Sequence, residues 1–114
     1  MTAANPFDAQ YVYLTTTGRK SGLLRRIEIW FVEHEGHIYI LAEHGHQAQW
    51  VKNLMSNSAV EIKINDRQWN ATGRVLDAVQ DAALYTKMRE LSRTKYGWGD
   101  GLPVEFRLDQ TILD

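Results

Sequence analysis

"LRRIEIWFVEHEGHIYILAEH", residues 24–44, is the stretch on which the fold turns. Its first half alternates: Ile27, Ile29 and Phe31 point to one side, Trp30 and Val32 to the other. That is the two-residue period of an extended chain. Glu35-Gly36 interrupts the run, and "HIYILAEH" (37–44) resumes it. Two apolar extended runs joined by a glycine-containing dipeptide make an antiparallel hairpin, with strands predicted over 24–34 and 37–44. The first of them is apolar on both faces, which in so short a chain calls for a second surface to cover it, so a homodimer is expected.

The same period recurs on either side. "YVYLTTT" (11–17) is rich in β-branched and aromatic residues and reads as a strand, closed by the turn "GRKSG" (18–22). "AVEIKIN" (59–65), "QWNATGRVLD" (68–77) and "VEFRLD" (104–109) alternate in the same way. Between 46 and 57 the period changes: Trp50, Val51, Leu54 and Met55 fall on one face of a short helix. A second helix is predicted over about 78–95, with an apolar stripe at Leu84, Met88 and Leu91 and with Asp77 as its cap, Gln80 standing three positions on. The segment "MTAANPFDAQ" (1–10) reads as a loose arm or a single helical turn. The expectation is a mainly β (α+β) protein, a six-stranded antiparallel barrel or half-open sheet carrying two helices, with 1–114 forming one domain.

Composition narrows the function. The 114 residues carry a net charge of -1, without the basic excess of a nucleic-acid binder. There is no cysteine, hence no disulfide framework and no thiolate metal site. No apolar run is long enough to span a bilayer, and "MTAANPFD" holds no signal core, so a cytoplasmic protein is expected. His34, His37, His44 and His46 cluster near turns, but no carboxylate stands at a familiar metal spacing, and no metal is expected. Nucleophile-elbow and triad signatures are absent, and no catalytic residue is assigned.

Against that neutral background the turn at 18–22 stands out. Arg19, Lys20, Arg25 and Arg26 lie within eight positions. Two readings are open: solvated cations on a hairpin turn, or an anion site in which glycine amides, the Ser21 hydroxyl and the cations converge on a phosphate or carboxylate. Tyr96 and Trp98, in the loop "KYGWGDGLP" (95–103), have two readings as well, a plug at the barrel end or a lid over a planar ligand.

"TTTGRKSGLLRRIEIWF" (15–31), then "YILAEHG" (39–45), then "WVKNLMSNSAVEIKI" (50–64) resemble the deazaflavin-dependent nitroreductase family, split β-barrel oxidoreductases related to pyridoxamine-phosphate oxidases. The resemblance covers about residues 11–76, and its most specific elements are the basic turn and the Trp50-x-x-Asn53-Leu54 helix. It implies a six-stranded split barrel, often dimeric, that binds coenzyme F-420 and passes hydride to an electron-poor quinone- or nitro-like acceptor. It further implies that Arg19, Lys20, Ser21, Gly22 and Arg25 form the site for the phosphate and glutamyl tail. Leu41, Ala42 and Glu43 would run beside the ring, Trp50 and Asn53 would brace the groove, and Tyr96 and Trp98 would line an acceptor pocket. Related split barrels hold FMN or haem, so an FMN reductase or a non-catalytic cofactor carrier is the alternative. Where many relatives carry a proline-containing segment after the arginine, this chain has Arg26-Ile27-Glu28-Ile29-Trp30.

Overall fold

Alternating strands with hairpin turns assemble into one antiparallel sheet that curves as a half-barrel. The computed structural model describes residues 6–111. A 3-10 turn, Pro6–Asp8, leads into β1 (Val12–Thr17), β2 (Leu24–Ile29), β3 (Val32–His34) and β4 (His37–Ala42). A second 3-10 turn, Gly45–Gln47, opens α1 (Gln49–Ser56); β5 (Ala59–Ile64), β6 (Arg67–Val75), α2 (Ala82–Tyr96) and β7 (Leu102–Thr111) follow. The order across the sheet is β2-β1-β5-β6-β7-β4-β3.

Among the described residues the sheet therefore has seven strands rather than six. The run expected as one strand over 24–34 is two, β2 and β3, and these occupy opposite edges of the sheet although only Trp30 and Phe31 separate them. Paired with β1 and β4 respectively, the two strands cannot share one ladder at Trp30–Phe31. There the backbone bonds to side chains instead: Phe31 N donates to Tyr96 Oη (3.0 Å), and Phe31 O accepts from Lys95 Nζ (3.0 Å). The sheet is split at this point.

Side-chain parity then sorts the core. Ile27, Ile29 and Phe31 face the main core with Leu14, Ile62, Val104 and Phe106, roofed by Val51 and Leu54 of α1. The strand buried on both faces is β4: Ile38, Ile40 and Ala42 enter that core, while Tyr39 and Leu41 join Val32, Leu76 and Met88 beneath α2. The α2 stripe is as expected, Leu84 and Leu91 flanking the buried Met88. Met55, expected on the inner face of α1, is 64% exposed, because the eight-residue helix turns it past the sheet. The turn before β6 is Asn65-Asp66, with Asn65 at φ 53°, so β6 starts at Arg67.

Asp77 caps a turn ahead of α2 rather than the helix itself. Its carboxylate accepts from Val79 N (2.8 Å) and Gln80 N (2.9 Å), while Asp81 Oδ2 accepts from Asp77 N (2.8 Å) and Arg74 Nη1 (3.0 Å). The Gln80 and Val79 amides hold the Asp77 carboxyl below its ordinary range, and the Asp77 amide followed by Arg74 does the same for Asp81. A carboxylate so lowered contributes stability that is fully present above its unfolded pKa, about 3.9, and is lost as pH falls through the folded value. The melting-temperature gap between wild type and Asp81→Asn should therefore be open near neutral pH and narrow below about pH 3.9. A gap that stays constant on acidification would contradict this role for Asp81.

Candidate functional site

A groove opens where the sheet splits, and its two halves differ in chemistry. The polar half, about 340 Å³, is lined by Thr16, Gly18, Arg19, Lys20, Ser21, Arg25 and Ile27 together with Gln49, Trp50 and Asn53 of α1. The apolar half, about 650 Å³, lies between the end of β2 (Glu28, Ile29, Trp30), the end of β4 (Leu41, Glu43, His44), the start of α1 (Ala48, Gln49, Trp50) and Trp98. Gln49 and Trp50 line both halves, so the two meet at the first turn of α1.

The basic turn owes its shape to a few short bonds. Gly18 N donates to Leu23 O (2.7 Å) and Gly22 N to Gly18 O (2.8 Å). Gly22 takes φ +74°, a conformation cheap only for glycine, and it lies outside the groove lining. Ser21 Oγ accepts from Leu23 N (3.1 Å). The turn is tied to α1 through Arg19. Its amide and its Nη1 both donate to Asn53 Oδ1 (3.2 and 2.8 Å), and its Nη2 donates to Gln49 Oε1 (2.8 Å). Asn53, 6% exposed, donates in turn to Thr16 Oγ1 (3.4 Å). Strand alternation separates the other arginines: Arg25 faces the groove, whereas Arg26 lies 4.3 Å over the Tyr13 ring.

The apolar half has aromatic walls. Trp50 packs against the core, its ring 6.3 Å from that of Phe106. Trp98 is brought in by Gly101, where a Cβ would stand 2.8 Å from Trp98 Cη2 and 2.8 Å from Ala42 O. Leu41 lines the groove, Ala42 is fully buried beside it, and the exposed Glu43 stands at the mouth near His44. Tyr96 is not among the residues lining this groove. Burial raises its phenol pKa, its ring stacks on Trp30, and its hydroxyl bonds the backbone of Phe31. Among the described residues no group of three or more His, Cys, Asp or Glu side chains is placed to hold a metal ion.

Gln49 and Trp30 were not anticipated as lining residues. Gln49 adjoins the expected Trp50 at the start of α1. Trp30 gave a weaker signal, a second bulky aromatic directly before Phe31 in an alternating run.

Comparison with known proteins fits this groove. The family model of F420H(2)-dependent quinone reductases matches residues 3–105. The chain belongs to this family of F-420-dependent reductases. Among solved structures it is similar to an F420-H2 dependent reductase (FDR-A), at 23% identity over 88% of this chain and 94% of that one, with a TM-score of 0.66. A putative pyridoxamine 5'-phosphate oxidase from Listeria innocua superposes with a TM-score of 0.74 at 11% identity, covering 96% and 93% of the two chains. A structure described as a domain-swapped dimer gives 24% identity, a TM-score of 0.63, and coverage of 88% and 80%. These likenesses are to the fold. None of the curated proteins matches the chain.

Membership makes F-420 the coenzyme, and the FMN alternative draws no support from it. The residues fit a molecule with a flat ring at one end and a phosphate and carboxylates at the other. Arg19, Lys20 and Arg25 stand at the polar end, and indole and aliphatic side chains line the other, whose volume suits a tricyclic ring. No described helix is long and apolar enough to cross a membrane.

Proposed function

We propose that the chain reduces a flat, electron-poor acceptor of the quinone or nitroaromatic kind, with the polyanionic end of F-420 at the basic turn and its ring in the apolar half of the groove. The observation that carries this reading is the continuity of the two halves through Gln49 and Trp50. Arg19, Lys20, Ser21 and Arg25 bind the phosphate and glutamyl carboxylates by charge-assisted hydrogen bonds. Asn53 positions Arg19, and Leu41 and Glu43 edge the ring bed. When bound and reduced, the coenzyme supplies the hydride. The protein orients ring and acceptor and excludes water, with Trp50 and Trp98 walling the ring and Trp30 closing the acceptor side. A side-chain acid or base is not required for that step.

The reading is tested by mixing the protein anaerobically with reduced F-420 and menadione and following the return of the oxidised coenzyme's absorbance. Turnover above the protein-free rate is expected. Tight coenzyme binding with no turnover on any quinone or nitroaromatic tried would leave a carrier and overturn the reductase reading.

The protein is further proposed to act as a homodimer. Leu23 and Leu24 are 61% and 66% exposed at the start of the edge strand β2, more apolar surface than a solitary edge tolerates. The similar structure described as a domain-swapped dimer supports the same reading. Light scattering should give twice the 13.2 kDa chain mass, and a value near 13.2 kDa at micromolar concentration would contradict it.

A further inference from the structure

We propose that Trp30 determines which acceptors the groove admits, and that Tyr96 is the positioning residue that holds it in place. This inference rests on the reading that the F-420 ring lies in the apolar half of the groove. Trp30 occupies the gap between β2 and β3, where no strand ladder fixes it. Its indole stacks on the Tyr96 ring, at 4.4 Å and only 2° from parallel.

Tyr96 is itself anchored by polar bonds that reach across the fold. Its oxygen accepts from Phe31 N (3.0 Å) and lies 2.7 Å from both Phe31 O and Gln10 O, so its single proton serves one carbonyl at a time. Lys95 adds bonds from Nζ to Phe31 O (3.0 Å) and Ala9 O (2.9 Å). The end of α2 thus clamps the backbone next to Trp30 and the chain ahead of β1, while the Trp30 indole stacks on the ring face of Tyr96.

The indole is a partition. In front of it lies the apolar half of the groove, of about 650 Å³. Behind it is a crevice of only about 10 Å³, bordered by Tyr39, Ser92 and Tyr96. Trp30, Leu41 and Trp98 line both spaces. Removing the indole joins them and extends the groove toward α2. With the indole present, the groove is closed on that side and suits a compact flat acceptor; without it, a bulky substituent can enter. A rigid aromatic face with few rotatable bonds suits such a wall.

The test uses the full chain with reduced F-420 and two acceptors, menadione and a naphthoquinone bearing a phenyl substituent. Trp30→Ala should raise the bulky-to-compact ratio of kcat/KM by about tenfold, the scale on which pocket shape discriminates. Its F-420 Kd should stay within about twofold, less than half of one tenfold step in free energy. Trp30→Phe should keep the wild-type preference. Tyr96→Phe, which retains the stack and loses the anchoring oxygen, should raise the menadione KM without moving the F-420 Kd. An unchanged acceptor ratio in Trp30→Ala would overturn the proposal while leaving the coenzyme reading intact. A folded Trp30→Ala that no longer binds F-420 would overturn it by placing Trp30 in the coenzyme bed. Failure of the wild type to bind F-420 would remove the underlying reading and this inference with it.

Discussion

Arg19→Ala is expected to weaken F-420 binding roughly ten- to hundredfold, the equivalent of ~1.5–3 kcal/mol for a charge-assisted hydrogen bond. In the proposed binding mode Arg19 has two roles, contacting the anion and positioning the turn. Two of the five N–H donors of its guanidinium go to Asn53 and Gln49, which leaves three directed elsewhere for an anion. The same bonds reinforce the tie between the turn and α1, so losing the side chain also loosens the turn that carries Lys20 and Ser21, although the Arg19 amide still bonds Asn53. Arg19→Lys keeps the charge but not the planar fork, and it should fall between wild type and Ala. Calorimetric titration at low and moderate salt checks this, with a shallower salt dependence expected in Arg19→Ala. Wild-type affinity in that variant would remove the basic turn from the coenzyme site.

Gly73→Ala should cost ~1–3 kcal/mol of stability, the usual penalty for overfilling a packed core. A Cβ at this position would stand 2.3 Å from Leu54 Cδ1 and 3.0 Å from Phe106 Cε1. Leu54 is the flexible neighbour, but it is 2% exposed and has nowhere to go except by moving α1. That helix also carries Gln49, Trp50 and Asn53, so the substitution should weaken coenzyme binding even though Gly73 lies away from the groove. Chemical denaturation and titration of the same preparation check both effects. Unchanged stability would show that β6 and α1 pack less tightly than these distances require.

The elements were readable because their information is local. The periods of β1, β4, β5, β6 and β7 and the stripe of α2 lie within each segment, and the structure follows them with boundaries shifted by a few residues. The division of 24–34 into β2 and β3 had no local signal: its alternation runs unbroken, and the side chains that take over its hydrogen bonds, Lys95 and Tyr96, lie more than sixty residues away, 64 and 65 positions from Phe31. The covering of β4 on both faces likewise depends on where α2 docks. At the site, the basic turn could be found because glycine and charge mark it in sequence. The separation of Arg25 from Arg26 follows from strand parity alone. The position of Tyr96 could not be read from its glycine-rich surroundings, since what distinguishes a clamp from a pocket wall is a distant backbone carbonyl.

Parallel titration with F-420, with F-420 lacking its glutamates and with FMN is the measurement that bears hardest on the basic turn as a coenzyme-tail site. All three ligands carry a phosphate, so a phosphate contact alone cannot rank them, whereas Arg19, Lys20 and Arg25 together exceed what one phosphate needs. The expected order is F-420 tightest, the trimmed coenzyme weaker and FMN weakest, with the gap between the first two shrinking as salt rises. Equal affinity for F-420 and its trimmed form, or FMN binding as tightly as either, would contradict it.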